Sequence, residues 1–514
     1  MYKMGLTFVE KNPLAGIRQL ASQTLWYGLS NIFGRFINYL LTPILTYIYA
    51  ASDYGDISIL FAIAAFLNIF YTYGMETSYF RFNKDGNERN VLNSSMSILL
   101  ITTLLYSTLL ILPVQSIAAA MKMENHPEWL IMVIAIVAID TLTVIPFAKL
   151  RNENRPRKFA LIKIINILTN MFFVVFFLYW CKGAYEAGNK GFLSSLYLPQ
   201  LGIGYVFIAN LIASGLTLIL LSKEWGGFQF QIQGELIRSM LVYSTPLIIV
   251  GFGGIINETI DRFMILWRYD ASEVAARTAN GIYSANYKLS VIIVLFIQAF
   301  RMGAEPFFFK QSSTADAPAT YARVMRLFIV VCCACFLLVV LFLDAWKYFM
   351  GIGMHPEYAE GLLIVPVLML AKIFLGIYYN LSIWYKLTNR TSTGALITLI
   401  GAAITIALNY VLIPIYGYWG CAIATLGCYG SMMVISYAMG QRHYPVPYNL
   451  SNALLHIGLA VGLFSIQFVL RQSGIETIWL HVTGALLLLC YLGLVLTIEK
   501  KELKQVPLLN KIYR

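Results

Sequence analysis

The 514-residue sequence is poor in charge, since Asp, Glu, Lys and Arg make up 12% of it while hydrophobic residues make up 59%. A soluble domain of this length is excluded, because so much apolar surface would face water. The net charge of +12 is spread over the chain, and the single basic patch or stripe of a nucleic-acid-binding protein is absent. The composition therefore indicates a membrane protein and argues against a nucleic-acid partner.

Motifs for covalent chemistry are also missing. No arrangement of Ser, His and acidic residues suggests a catalytic triad, and no glycine-rich phosphate loop indicates ATP use. Cys332, Cys333 and Cys335 lie in an apolar run without nearby polar ligands, so we interpret them as packing residues rather than a metal site. We expect no catalytic residue, cofactor, metal or disulfide framework. The polar, basic first twenty residues give no indication of a cleaved signal peptide.

Apolar runs of roughly 20 residues, the length needed to cross a bilayer, recur from end to end. They predict an all-α polytopic membrane protein with about 14 transmembrane helices. The runs lie near 22–48, 57–76, 91–113, 129–150, 159–180, 201–221, 242–266, 279–303, 324–346, 358–380, 392–413, 417–440, 451–470 and 476–497.

Lys and Arg are concentrated in alternate loops, around 81–89, 149–158 and 310–326, and in the tail 500–514. The intervening loops are poor in base, and the 51–56 turn has none. By the positive-inside rule this asymmetry predicts that both termini are cytoplasmic. The excess of base is then expected to contact anionic membrane lipids.

A short polar signature occurs twice in the chain. Gly74–Arg81 has a counterpart in Gly303–Lys310, with an offset of 229 residues (303 − 74), and His126–Trp129 recurs as His355–Tyr358 at the same offset (355 − 126). The two halves would each hold six helices, an even number. They are therefore expected to share one topology and to be related by an axis along the membrane normal.

The duplication predicts the organisation of the chain. The expected units are a cytoplasmic segment 1–19, an N-lobe 20–221 with helices 1–6, a cytoplasmic linker 222–239, a C-lobe 240–440 with helices 7–12, and a segment 441–514 with helices 13–14 and a basic tail. The outer loops are short, the longest being about 181–202, which leaves no room for a folded extracellular domain.

Several charges lie inside the apolar runs, where each costs at least about 2.5–3.5 kcal/mol at the bilayer centre. Arg35, Arg262, Lys288 and Lys372 are predicted to line a cationic cavity between the lobes. Guanidinium groups suit a phosphate or diphosphate because they offer paired donors. The alternative for Arg35 and Arg262 is a structural ion pair that locks neighbouring helices, for example between Arg262 and Glu258 one helical turn away.

Five carboxylates are candidates for coupling or gating, namely Glu76, Asp140, Glu258, Asp261 and Glu305. Glu76 and Glu305 belong to the duplicated signature, and they either fix helix ends or form a gate between the lobes. The two His-Pro-Glu sites are predicted to be helix starts, since Pro is tolerated at the first helical position.

Five segments of the chain carry a resemblance to a known family. They are Ser30–Phe36, Asn257–Phe263, Gly281–Arg301, Ala304–Phe308 and Gly376–Leu387. These strings resemble those of the Wzx-like polysaccharide flippases, in the multidrug/oligosaccharidyl-lipid/polysaccharide exporter superfamily.

The resemblance implies two six-helix lobes forming a V around a central cavity. It also implies alternating access that moves an undecaprenyl-diphosphate-linked oligosaccharide from the inner to the outer leaflet of a bacterial inner membrane. That substrate would be an O-antigen, capsule or exopolysaccharide repeat unit. A polysaccharide polymerase is then a candidate partner, and H⁺ or Na⁺ a candidate coupling ion. The sequence departs from a cation-coupled pattern in having no duplicated acidic pair at mid-membrane. The last two helices fit family members that hold a lipid tail in a groove.

Two other functions stay open at this point. A cation-coupled multidrug antiporter of the same superfamily would favour an acidic, aromatic cavity, whereas this sequence offers more base than acid inside its helices. A polytopic glycan polymerase or ligase would be an enzyme with a sizeable outer loop carrying catalytic bases, and the loops here are short. The sequence favours a non-enzymatic flippase.

Overall fold

A computed structural model describes residues 39–83, 87–270, 272–314, 316–350 and 354–503. The described residues form helices and connecting turns without a strand. The α-helices are α1 Tyr39–Ile48, α2 Ala51–Thr72, α3 Met75–Phe82, α4 Glu88–Ile111, α5 Val114–Ala120, α6 Pro127–Asn152, α7 Pro156–Val175, α8 Lys182–Glu186, α9 Phe192–Ser195, α10 Gly204–Leu220, α11 Gly234–Arg268, α12 Glu273–Gln311, α13 Ala317–Val340, α14 Leu343–Phe349, α15 Val365–Leu381, α16 Ile383–Leu387, α17 Thr391–Tyr416, α18 Tyr418–His443, α19 Leu450–Gln472, α20 Thr477–Ile498 and α21 Lys500–Leu503.

Twelve helical segments in the described ranges are long and apolar enough to cross a membrane. Two further helices, α1 and α10, are apolar but shorter. They lie within the predicted runs 22–48 and 201–221, and part of the first run falls outside the described residues. The predicted all-α polytopic class is confirmed, while the count of 14 spanning helices stays a prediction.

The duplication appears in the helix lengths themselves. α4 and α13 begin and end 229 residues apart (317 − 88 and 340 − 111), and so do α5 and α14 (343 − 114 and 349 − 120). At the same offset, Pro127 begins α6 and Pro356 begins a 3₁₀ helix, Pro356–Ile364, that leads into α15. The His-Pro-Glu sites are therefore helix starts, as predicted.

Each lobe contributes six main helices to the bundle. The N-lobe is built from α1, α2 with α3, α4, α6, α7 and α10, and the C-lobe from α11, α12, α13, α15 with α16, α17 and α18. The remaining pair, α19 and α20, packs against α13 of the C-lobe. The structure thus confirms two lobes in a parallel repeat with two additional helices.

The lobes meet most closely where α2 crosses α12. A Cβ atom added to Gly281 would lie 1.7 Å from the carbonyl oxygen of Ala51, and one added to Gly55 would lie 2.2 Å from that of Arg277. Only glycine allows the two backbones to approach in this way. Nearby, Tyr358 donates to the carbonyl of Tyr49 at 2.9 Å. We call this end of the bundle, which holds the first turn of α2, the closed end.

The linker between the lobes is fixed to the N-lobe at the opposite end of the bundle. It begins with a 3₁₀ helix, Ser222–Trp225, in which Glu224 is buried. Glu224 accepts hydrogen bonds from Lys158 at 2.5 Å and Arg155 at 3.1 Å. Burial works against ionisation of Glu224, but Lys158, with Arg155 and Lys149, holds its pKa below the ordinary value. The linker carboxylate is therefore a charged anchor at neutral pH.

The additional pair α19 and α20 is tied to α13 by a buried carboxylate. Glu499, which follows α20, accepts hydrogen bonds from His456 at 3.0 Å and Asn452 at 2.9 Å and forms an ion pair with Arg326 at 2.6 Å. Between α13, α15, α18 and α19 lies an apolar groove of about 340 Å³. We call it the lateral groove.

The glycine crossing gives a test of how the lobes are joined. We expect Gly281→Ala to lower the apparent melting temperature of the purified protein, because overpacking typically costs about 1–3 kcal/mol. The matched control is Gly303→Ala on the same helix, where nothing lies within 4 Å of an added Cβ atom. This control should leave stability unchanged or slightly raised, since Ala is the better helix former. Equal effects of the two variants would contradict the close crossing.

Candidate functional site

The two lobes enclose a cavity of about 430 Å³ in the described part of the chain. We call it the central cavity. Its walls are formed by α1, α2, α7 and α10 of the N-lobe and by α11 and α12 of the C-lobe. The lining side chains are Leu41, Thr42, Leu45, Tyr54, Ile57, Ser58, Phe61, Ala62, Asn166, Asn170, Asn210, Glu258, Thr259, Arg262, Ser284, Tyr287, Lys288 and Val291.

Arg262 lies in the wall of this cavity, on α11, and is largely compensated. Its Nη1 atom donates to Asp261 Oδ1 at 2.8 Å and to the carbonyl oxygen of Glu258 at 2.6 Å. Its guanidinium lies 4.8 Å from the ring centroid of Tyr287, and Tyr283 donates to the other oxygen of Asp261. The charge of Arg262 is therefore matched by its own neighbour in sequence, while part of its surface still faces the cavity.

Glu258 is matched by a lysine from another helix. Lys372 on α15 is fully buried, and its Nζ atom lies 3.1 Å from both carboxylate oxygens of Glu258. Tyr287 and Tyr429 also donate to this carboxylate, at 2.7 and 2.8 Å. Lys372 in addition donates to the hydroxyl of Tyr287. The pair joins α11 to α15, and Lys372 lies behind the cavity wall rather than on it.

Among the residues that the structure describes, Lys288 is the cation of this group without a partner. It lines the central cavity on α12, and within the described ranges it makes neither an ion pair nor a hydrogen bond. The network contains two ion pairs, Arg262 with Asp261 and Lys372 with Glu258. Lys288 is a third cation, so the net charge of these five side chains is +1. That excess faces the cavity. Arg35, the fourth predicted cation, lies outside the described residues.

Asp140 lies in a neighbouring cavity of about 210 Å³ inside the N-lobe, between α2, α6 and α10. Phe61 and Asn210 line both this cavity and the central one, so the two adjoin. Lys163 lies close enough to Asp140 to act on it electrostatically. The structure therefore places Asp140 beside the central cavity and away from the charges of the C-lobe.

The duplicated glutamates form equivalent contacts inside their own lobes. Glu76 on α3 is paired with Arg151 at the end of α6, and Glu305 on α12 is paired with Lys386 on α16 at 2.7 Å and with Arg301 at 3.3 Å. The pairs with Arg151 and Lys386 each connect the second helix of a lobe to the fourth. These contacts favour the helix-end interpretation, and a gate between the lobes stays a prediction.

The sequence analysis missed the amides of the cavity wall. The central cavity is lined by Asn166, Asn170 and Asn210. A neutral side chain inside an apolar run is a weaker indication of a functional site than a charged one. A signal was present, because Asn166 and Asn170 are four residues apart and so share one face of an apolar helix. As for metals, the described residues contain no group of three or more His, Cys, Asp and Glu side chains that could hold an ion.

Comparisons with known proteins agree with this architecture. Residues 20–311, more than half of the chain, match the sequence profile of polysaccharide biosynthesis proteins. No match was found among curated protein sequences.

Solved structures with a similar fold include the lipid II flippase MurJ in its inward closed conformation, at 14% identity, covering 92% of this chain and 98% of that chain, with a TM-score of 0.67. They also include a multidrug resistance MATE family transporter of the MOP superfamily. Its inward-facing form has 11% identity, covers 83% of this chain and 97% of that chain, and gives a TM-score of 0.60. The outward-facing structure of a multidrug resistance MATE family transporter has 12% identity, covers 82% of this chain and 94% of that chain, and gives a TM-score of 0.54. At such identities the likeness shows a shared fold.

The Glu258–Lys372 pair can be tested by a double-mutant cycle. Glu258→Gln should destabilise the protein by about 3–5 kcal/mol, because it leaves the fully buried ammonium of Lys372 without its partner. Lys372→Met should cost less, because the Glu258 side chain is 40% exposed and keeps its hydrogen bonds from Tyr287 and Tyr429. The double variant should be more stable than either single variant. Lys182→Met is the control, since it breaks a pair whose glutamate, Glu186, is 63% exposed and should cost at most about 1 kcal/mol. Thermal unfolding of the purified variants measures these differences, and additive losses would contradict the pairing.

Proposed function

Because the chain belongs to the family of polysaccharide biosynthesis proteins, we propose that it is a flippase for a lipid-linked oligosaccharide. It is a multi-pass membrane protein with a transporter fold, and its proposed role is translocation rather than catalysis. The proposed substrate is an undecaprenyl-diphosphate-linked repeat unit of an O-antigen of lipopolysaccharide, a capsule or an exopolysaccharide. It would move from the inner to the outer leaflet of a bacterial inner membrane.

The observation that carries this proposal is the unmatched Lys288 in the cavity between the lobes. A diphosphate is an anion that must cross a region of low dielectric constant, where a cation attracts it more strongly than in water. In the described part of the chain the ammonium of Lys288 has no partner, whereas the neighbouring Arg262 is paired and only 8% exposed. The carboxylate of Glu258 does not compete for Lys288, because Lys372 and two tyrosines already bind it.

The lateral groove supports a lipid substrate. It is lined almost entirely by apolar side chains, among them Met325, Phe374 and Ile457. Helix α15 separates the groove from the central cavity, since Phe374 and Ile377 face the groove while Lys372 contacts Glu258. The apolar lining of the groove suits a polyisoprenyl tail.

The proposed orientation places the closed end at the outer face of the membrane. The basic residues Lys149, Arg155 and Lys158 lie at the opposite end, around the linker carboxylate of Glu224, which by the positive-inside rule faces the cytoplasm with both termini. Transport would then require separation of α2 from α12. For an H⁺ or Na⁺ coupling mechanism, Asp140 is the candidate carboxylate that adjoins the cavity. A polysaccharide polymerase stays a proposed partner that would consume the product.

The rival function is a cation-coupled multidrug antiporter, whose fold the MATE transporters share. The charge balance of the central cavity disfavours it, because among the described residues a cationic drug would meet Lys288, while the carboxylate of Glu258 is already paired with Lys372.

A leaflet-resolved transport assay tests the proposal. Purified protein in lipid vesicles should translocate a fluorescent polyisoprenyl-diphosphate oligosaccharide, and Lys288→Gln should slow that translocation at least about tenfold, since a hydrogen bond to a charged group is worth about 1.5–3 kcal/mol. Lys190→Gln, in an exposed loop, is the matched control and should transport normally. Normal transport by Lys288→Gln would overturn the site assignment. Antiport of a cationic drug without glycan-lipid transport would favour the rival function.

A further inference from the structure

The two walls of the central cavity differ in chemistry. The C-lobe wall carries the charged residues Glu258, Arg262 and Lys288. On the N-lobe wall, the described lining residues include no charged side chain, but they do include three carboxamides. These are Asn166 and Asn170 on α7 and Asn210 on α10. The described parts of the two walls therefore offer different chemistry to a ligand between them.

The three amides are positioned by a pair of packed helices. Asn166 and Asn170 are one turn apart on α7, which packs along α10, so their side chains share the face turned toward the cavity. Asn166 donates to Thr217 at 2.9 Å, which fixes its orientation. The wall is therefore built from rigid helices rather than from a loop.

Two of these amides have unused hydrogen-bonding capacity. The Oδ1 atom of Asn170 is shielded from solvent and lacks a hydrogen-bond partner in the described part of the chain. Asn210 likewise makes no side-chain hydrogen bond to a described residue. Leaving such groups unsatisfied in an apolar helix bundle is costly. A ligand that supplies donors and acceptors would remove that cost.

We propose that the N-lobe wall is a subsite for the glycan, in which Asn166, Asn170 and Asn210 bind hydroxyl and acetamido groups of the sugars nearest the diphosphate. A carboxamide both donates and accepts, as a sugar hydroxyl does, and it carries no charge that would compete for the phosphates. Phe61 on the same wall is 37% exposed and offers an apolar ring face against which a sugar can pack. This subsite rests on the proposed flippase function and specifies its substrate.

A mechanical consequence follows from the division between the walls. The diphosphate would be held by the C-lobe at Lys288 and the sugar by the N-lobe, so that only the intact lipid-linked glycan bridges both lobes. A ligand shifts a conformational equilibrium only through contacts that differ between the two states. The glycan therefore gives this flippase a way to distinguish a loaded carrier lipid from a bare one.

The test compares binding of two probes to the full-length protein in lipid nanodiscs. One probe is polyisoprenyl diphosphate, and the other is the same lipid carrying a disaccharide that contains an N-acetylhexosamine. Asn170→Leu and Asn210→Leu should each weaken binding of the glycan-bearing lipid roughly three- to tenfold and leave binding of the bare lipid unchanged. Asn170→Gln, which keeps the amide, should retain more affinity than Asn170→Leu. Lys288→Gln should weaken binding of both probes.

The outcomes separate the two levels of the proposal. If the leucine variants weaken both probes equally, or neither, the glycan subsite is wrong while the flippase proposal stands. The same holds if the wild-type protein binds the two probes equally tightly. If the wild-type protein binds neither probe, the proposed function itself fails. Apparent melting temperatures check that the variants fold, and since the two positions lie on different helices, either variant alone carries the test.

Discussion

Glu258 lies inside the membrane-spanning part of α11, and the C-lobe is arranged around its carboxylate. A carboxylate at that depth must be matched by a cation and by hydrogen bonds. Lys372, Tyr287 and Tyr429 provide them from α15, α12 and α18. The network therefore ties four helices into one body. It also decides the charge of the cavity, because once both carboxylates are matched, Lys288 is left over.

The lobes are two such bodies, joined along a seam that runs from the closed end, where α2 crosses α12, to the other end, where Ser78 donates to the carbonyl oxygen of Met240 at 3.0 Å. At the closed end, the backbones of α2 and α12 pack against each other through Gly55 and Gly281. Away from the seam, the duplicated ion pairs of Glu76 and Glu305 stay within their own lobes. Rigid lobes suit a rocking motion around a central ligand. A substrate that contacts both lobes can shift the equilibrium between their two arrangements.

Much of the fold could be predicted from the sequence because the repeat preserved helix and loop lengths. The offset of 229 residues, read from Gly74–Arg81 and His126–Trp129, also describes the ends of α4, α5, α13 and α14. The hydrophobic runs predicted the helices, although α11 and α12 extend beyond the predicted 242–266 and 279–303. These extensions are amphiphilic ends that a search for apolar runs does not register.

The site was harder to predict, because the sequence gives residue types and local spacing but not tertiary partners. A spacing of four residues suggested that Arg262 pairs with the carboxylate of Glu258. In the structure, Arg262 instead donates to the carboxylate of Asp261 and to the backbone carbonyl of Glu258. The carboxylate of Glu258 pairs with Lys372, which lies on another helix more than one hundred positions away in the sequence. The predicted cations Arg262 and Lys288 do lie on the cavity wall. Burying a neutral amide costs much less free energy than burying a charge, so the asparagines of α7 and α10 do not stand out in an apolar run.

The measurement that tests the central cavity most directly is thiol labelling of Ser58→Cys, a position on the N-lobe side of the cavity. In a background without other reactive thiols, added polyisoprenyl diphosphate should slow the labelling, and Lys288→Gln should remove that protection. Ser239→Cys, at an exposed position on α11, should label at one rate with and without the lipid. Unchanged labelling of Ser58→Cys at saturating lipid would contradict the claim that an anionic head group binds between the lobes.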